Sequence, residues 1–206
     1  MTGVHTVRTP RSESSDQHDT GIAVSVISGA VFLAIKHFVL ERFRSGTLQN
    51  LCKNLDAEAR EALLHARAEA WYPSDVLLRL LHAIFDKLVD RDLGRYHALV
   101  YDATLSAMRH SFREAMTLGT AHMVVTRLPN LWQSLERSDT IVSVDVQGGV
   151  ADIRIRRCAA SEDRLYLQAV LAMLRALLYA ATGVERFVTL KRQTRHGIQL
   201  RVGGLG

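Results

Sequence analysis

The sequence predicts an α+β fold. It has an N-terminal helical layer of about six helices, then a β-hairpin, a long helix and a second β-hairpin, and the strands form a four-stranded antiparallel sheet. The main observation is a change of hydrophobic period near Asp139. Before this residue, apolar residues recur at the spacing of amphipathic helices, and after it they alternate as they do in strands. Glycines and prolines at the junctions supply the turns between elements.

The N-terminal part of the chain divides at Gly21. Residues 1–20 are polar and contain no Phe, Trp or Tyr, so we expect a disordered tail. Gly21–Ile35 is uncharged but shorter than the roughly 20 apolar residues that a membrane-spanning helix needs. We therefore interpret it as the buried start of one domain covering residues 21–206, and we expect no membrane partner.

Apolar stripes predict the helices, and helix-breaking residues divide them. Ser45-Gly46 ends the first helix, and Pro73 interrupts the layer because proline cannot continue a helix and favours an extended Tyr72. Pro129 is expected to begin a final helical turn, separate from the helix before it. The predicted helices cover residues 29–44, 47–55, 56–70, 74–88, 95–116 and 120–127, and the turn covers 128–132.

Alternation and glycine turns predict the second half of the chain. Alternating apolar residues over 140–146 and 150–156 form a hairpin, and Gly148-Gly149 supplies its turn because glycine adopts positive φ freely. A long apolar helix over 161–182 follows, with Gly183 at its C-terminal cap. The third and fourth strands are expected around 184–190 and 198–202. We expect the helix to lie across one face of the resulting sheet.

The composition is that of one globular domain, with 206 residues of which 48% are hydrophobic. The net charge of +5 is modest and spread along the chain, so we expect no nucleic-acid partner. Cys52 and Cys158 lie far apart, without the spacing of a metal site or a disulfide framework. Two isolated thiols indicate a reduced, cytoplasmic protein.

The sequence contains no pattern typical of catalysis. It has no nucleophile elbow, no phosphate-binding glycine loop and no pair of metal ligands at helical spacing, so we expect a protein that is not an enzyme and holds no metal ion. A single histidine on a helix usually only makes hydrogen bonds. One axial histidine is nevertheless enough to bind heme, and His97 and His110 are the candidates for that role.

A group of side chains with apolar bodies and polar tips lies in the helical layer. Such side chains commonly line ligand pockets, although they also fill joints between helices. The five candidates for a pocket are Trp71, Tyr72, His97, Tyr101 and Trp132.

Four segments carry a resemblance to a known family. They are GAVFLAIKHFVLERF, WYPSDVLLRLL, GRYHALVYDATLSAMRHSFREAMTLG and RLPNLW, followed by the hairpin, helix and hairpin. This order resembles an uncharacterised bacterial family related to the heme-NO-binding (H-NOX) domains and to the V4R (4-vinyl reductase) small-molecule-binding domains. The resemblance implies an apolar cavity between helices and sheet that takes heme, a hydrocarbon or an acyl chain.

The resemblance also implies a sensor or adaptor that forms homodimers. The Tyr-x-Ser-x-Arg pattern of heme-NO-binding domains is met at Tyr72 and Ser74, but Val76 stands in the arginine position. The cofactor therefore stays unassigned, with heme as one candidate. We expect a non-enzymatic, small-molecule-binding sensory or regulatory domain. The alternative is a dimerising module that binds a protein partner without any ligand.

Overall fold

The computed structural model describes residues 25–110 and 119–205, and the predicted disordered tail lies outside them. The predicted mixture of an N-terminal helical part and a four-stranded antiparallel sheet is confirmed. The helices are α1 (Gly29–Arg42), α2 (Thr47–Cys52), α3 (Ala57–His65), α4 (Ser74–Lys87), α5 (Leu93–His110), α6 (Ala121–Leu135) and α7 (Arg164–Thr182). The strands are β1 (Val26–Ser28), β2 (Trp71–Pro73), β3 (Glu136–Arg137), β4 (Ile141–Gln147), β5 (Val150–Arg156), β6 (Val188–Thr194) and β7 (Gly197–Val202).

Polar side chains determine where several helices begin. Asp56 accepts a hydrogen bond from the Ala59 backbone N–H, and Asp163 accepts one from the Tyr166 backbone N–H. Each of these bonds satisfies a donor that has no partner within its helix. At the other end of α7, Gly183 adopts φ 68°, so the predicted glycine cap is present.

The four-stranded sheet has the order β4-β5-β7-β6, and all its neighbours are antiparallel. Strand β5 has the predicted bounds. The third strand begins later than predicted, at Val188, because the chain leaves α7 through an irregular segment in which Val184 is 49% exposed. Helix α7 packs against this sheet through a shared hydrophobic core, as expected.

A second, three-stranded sheet with the order β2-β1-β3 was not predicted. Its strands are two or three residues long, which is too short for alternation to be visible in the sequence. Strand β1 pairs with both of its neighbours and leads directly into α1. This sheet therefore joins the start of the helical layer to the end of α6.

The predicted break at Pro129 is wrong, because α6 continues through it. Proline removes one backbone hydrogen bond from a helix interior. The helix is held by an apolar stripe that runs past the proline, with Val125, Leu128 and Trp132 at most 7% exposed. Burial of this stripe outweighs the local cost.

The described residues form two hydrophobic cores. One lies mainly among α1–α5, and the other lies between α6, α7 and the four-stranded sheet. Helix α7 has the length and mean hydropathy of a membrane span, but half of that stretch is buried inside the protein, as in the core helix of a folded domain. The space between the two cores is where the candidate site lies.

Candidate functional site: a cavity between the two cores

A cavity of about 220 Å³ lies between the two hydrophobic cores. Helices α1, α4, α5, α6 and α7 form its wall, with one residue each from β1 and β3. No residue of the four-stranded sheet lines it, because α6 and α7 lie between the cavity and that sheet. The expected location between helices and sheet is therefore corrected to one lined mainly by helices.

Small side chains at helical spacing keep the cavity open. Helix α5 contributes more described wall residues than any other element, and two of its alanines, Ala103 and Ala107, stand one turn apart. Ala169 faces the same space from α7 and Ala34 from α1. An alanine fills much less volume than the leucines beside it, so four such positions leave a space that the larger side chains do not close.

The few polar groups in the wall already have partners. Thr104 donates a hydrogen bond from its hydroxyl to the Val100 carbonyl at 2.9 Å. Trp132 donates from Nε1 to Glu136 Oε2 at 3.1 Å, and Tyr166 donates to the same oxygen at 3.5 Å. The wall therefore offers a ligand an apolar surface.

Glu136 is the one charged residue among the described side chains of the wall, and it is 9% exposed. Besides Trp132 and Tyr166, its donors are the hydroxyls of Ser25 at 3.4 Å, Ser138 at 2.6 Å and Thr140 at 2.9 Å. A carboxylate has about four lone-pair sites, so five donors saturate it. Such a group anchors local structure and has little capacity left to act as a base or to hold a ligand.

Burial shifts the pKa values of two side chains near the Glu136 carboxylate. It raises the pKa of Tyr166 well above its ordinary value and raises the pKa of the Cys158 thiol. A raised thiol pKa means that little of the reactive thiolate is present near neutral pH. Cys158 and Tyr166 therefore behave as core residues of the sheet side of the molecule.

Of the five residues predicted to line a pocket, the structure brings Trp132 to the cavity wall. Trp71 instead lies under the Arg137 guanidinium, whose carbon is 4.0 Å from the ring centroid. Tyr72 packs its ring against Phe32 at 5.2 Å and accepts a hydrogen bond from the Arg67 backbone N–H. These two residues fill joints around the small sheet.

His97 and Tyr101 belong to a polar network between α5, α7 and the segment after α7. Arg175 on α7 donates to His97 Nε2 at 3.1 Å and forms an ion pair with Glu185 at 3.3 Å. Tyr101 donates to the other oxygen of Glu185 at 2.8 Å. Burial and the charge of Arg175 lower the pKa of His97, and burial with the Glu185 hydrogen bond raises the pKa of Tyr101.

The described residues offer few groups that could bind heme. The described wall contains no histidine, and Nε2 of His97 is already taken by Arg175. His110 is the last described residue of α5, and its side chain lies outside what the structure describes. Within the described ranges no cluster of histidine, cysteine or carboxylate side chains could hold a metal ion.

The functional residues that the sequence did not reveal are Glu136 and the four alanines. A single glutamate after an apolar run looks like a solvated surface residue, and its burial depends on hydroxyls brought in by β1 and by the start of β4. The alanines fit the apolar stripes of their helices. The one usable signal was their helical spacing on α5.

The order of helices and strands defines an α+β fold that solved H-NOX domain structures share. No protein-family model matches the sequence, and no curated protein matches it. The chain is similar to the Fe(II) unliganded H-NOX protein from K. algicida, with a TM-score of 0.63 and 9% identity, over 86% of this chain and 96% of that chain.

Two further solved structures show the same fold. An oxygen-binding H-NOX domain related to soluble guanylate cyclases matches with a TM-score of 0.62 and 8% identity, over 86% of this chain and 94% of that one. The H-NOX from Shewanella woodyi matches with a TM-score of 0.60 and 9% identity, over 85% and 93%. The predicted resemblance to heme-NO-binding domains is thus confirmed for the fold, whereas the relation to V4R domains stays a prediction.

Proposed function

We propose that this protein is a sensory or regulatory domain that binds an apolar small molecule in the cavity between its two cores. The observation that carries this proposal is an apolar space of about 220 Å³ inside an H-NOX fold. The solved structures with this fold include an oxygen complex and an Fe(II)CO form, so the fold serves small-molecule binding in those proteins. The described part of the wall has no pair of groups suited to acid–base catalysis, which favours a binding role over an enzymatic one.

The energetics of the cavity support a ligand. The wall is apolar, and covering apolar surface contributes about 25 cal/mol for each Å² that leaves water. A ligand that binds this wall binds only the folded protein, so it also raises the free energy of unfolding.

The wall also supports a regulatory role, because hydrogen bonds connect one of its residues to segments next to both sheets. Trp132 lines the cavity and donates to Glu136, and Glu136 accepts from Ser25 beside β1 and from Thr140 just before β4. A ligand that displaces the Trp132 ring would change these hydrogen bonds. We propose this as the route by which occupancy alters the outer surface.

Native mass spectrometry of the freshly purified full chain tests the function. We expect bound small molecules in the wild-type protein and their loss in Ala103→Phe, which fills the cavity. The matched control is Ala98→Phe, an exposed position on the same helix, which should keep the ligand. If the wild-type protein carries nothing and no apolar compound raises its melting temperature, the proposal fails.

Exposed apolar side chains after α7 support the second candidate function, a dimerising adaptor without ligand. Val184, Phe187 and Leu190 lie within seven residues of one another in the chain and are 49%, 85% and 41% exposed. Exposed apolar surface commonly marks an interaction site when it is contiguous. Sedimentation velocity of the wild type and of Phe187→Ser tests this candidate. A wild-type dimer that dissociates in the variant favours the adaptor or a dimeric sensor. A monomer in both proteins counts against the adaptor.

We further place the protein in a reducing compartment, the cytoplasm. Cys52 and Cys158 are both free and buried, at 7% and 3% exposure, in different cores. Thiol-specific labelling after unfolding in cell extract tests this placement. Both cysteines should label without prior reduction.

A further inference from the structure

We infer that the cavity takes a neutral, hydrocarbon-like molecule and excludes heme, although the fold is that of heme-binding domains. This inference rests on the proposed binding function and adds the chemical class of the ligand. Three features of the described wall carry it. They are the lack of an adequate iron ligand, the charge of the wall and the volume of the cavity.

The described wall offers no adequate iron ligand. Proteins hold heme iron through histidine, cysteine thiolate or tyrosine, and methionine serves together with histidine. The candidates in the wall are Met108, Met173 and Tyr166. Tyr166 is buried with its pKa raised far above neutrality, and its hydroxyl bonds to Glu136, so the phenolate that iron requires is disfavoured. The two thioethers have no histidine beside them in the described wall.

The charge of the wall opposes the two propionates of heme. Buried carboxylates need cations or free hydrogen-bond donors, and the described wall has neither, since the Trp132, Tyr166 and Thr104 donors are already used. The one charged group is Glu136, which is itself a carboxylate. An anion placed against it would meet repulsion without any compensating partner.

Glu136 also cannot anchor a ligand that donates a hydrogen bond. Its two oxygens already accept from five donors, and the shortest of these bonds, from Ser138, is 2.6 Å. A polar head group inside the cavity would therefore lose its water without gaining a partner. The wall selects for molecules with no polar group in the buried part.

The size of the cavity fits one ring or a short alkyl chain. An engineered apolar cavity of about 150 Å³ binds benzene, and this one is about 220 Å³. A porphyrin macrocycle is several times larger than benzene. A cavity of this volume matches the smaller molecule.

Quenching of Trp132 by brominated compounds tests the inference. The chain has two tryptophans, and Trp71→Phe leaves Trp132 as the only one, with its indole in the cavity wall. The full-length Trp71→Phe protein is titrated with bromobenzene, with its anionic analogue 4-bromobenzoate, and with hemin monitored at the Soret band. We expect saturable quenching by bromobenzene, binding of 4-bromobenzoate weaker by about tenfold or more, and no stoichiometric change of the hemin spectrum.

Variants make each result specific to the cavity. Adding Ala103→Phe should abolish quenching by bromobenzene, whereas Ala98→Phe should leave it unchanged. Tight binding of one hemin per chain would overturn the inference while leaving the proposed binding function intact, and His110→Ala would then test that residue as the iron ligand. Equal affinity for 4-bromobenzoate would overturn the neutral ligand class. If none of the three compounds binds, the proposed function fails as well.

Discussion

A contact with Arg175 explains why His97, one of the two histidines suggested as a heme ligand, has a structural role instead. The Arg175 guanidinium donates to His97 Nε2, which can accept only when that nitrogen carries no proton. Protonation would place two cations face to face at the joint between α5 and α7. The histidine is therefore held neutral by a structural contact, and its lowered pKa reports packing rather than iron binding.

This contact predicts a pH dependence of stability. Because folding lowers the pKa of His97, the folded state disfavours the proton that the unfolded chain binds below its ordinary pKa of about 6.5. The stabilisation is complete above that value and is lost as the pH falls from it towards the lower pKa of the folded state. Urea unfolding of the wild type should therefore weaken between about pH 7.5 and about pH 5.5 more than unfolding of His97→Gln, whose amide still offers Arg175 an acceptor. Equal losses in the two proteins would contradict this role.

Individual residues also show why the candidate site was only partly predictable. Trp132 was identified because a large aromatic in an apolar stripe is visible in the sequence. Tyr101 and His97 have the same polar-tipped character, yet they pair with Glu185 and Arg175 outside the cavity. The cavity itself depends on what alanines such as Ala103 leave unfilled, and periodicity does not encode empty volume.

At the scale of elements, the strongest periodic signals gave the most accurate predictions. Strand β5 and the end of α7 at Thr182 fall where alternation and Gly183 place them. The small sheet was missed because its pairing depends on residues far apart in the chain, such as Ile27 with Glu136. Local pattern cannot report such long-range pairing.

Helix α6 supplies a prediction about the proline that it tolerates. Pro129 lies in the helix interior, where it removes a backbone hydrogen bond and crowds the preceding turn. Pro129→Ala should raise the free energy of unfolding by roughly 1–3 kcal/mol, measured by urea denaturation. The control is the exposed neighbour Asn130→Ala, which changes helix propensity but no backbone bond. If the two variants gain equally, the proline is accommodated without cost.

At the scale of the whole molecule, the cavity separates two cores that a ligand would join. Its wall takes Val39 and Ile84 from the core of α1–α5, and Val170 and Leu177 from the core of α7 and the four-stranded sheet. A molecule in the cavity contacts both sets at once. Occupancy should therefore raise the cost of opening either core, which is the thermodynamic coupling that a sensor needs.

Hydrogen exchange with and without bromobenzene measures this coupling directly. Amides of α1 and α4 on one side, and of α6 and α7 on the other, should exchange more slowly when the cavity is filled, because local opening must then release the ligand. The hairpin of β6 and β7 contributes no residue to the wall, so its exchange serves as the internal control. The Ala103→Phe protein should show no ligand effect anywhere. Slower exchange confined to the amides of one core would mean that the ligand does not couple the two cores. Ligand binding could then alter the outer surface only through that one core.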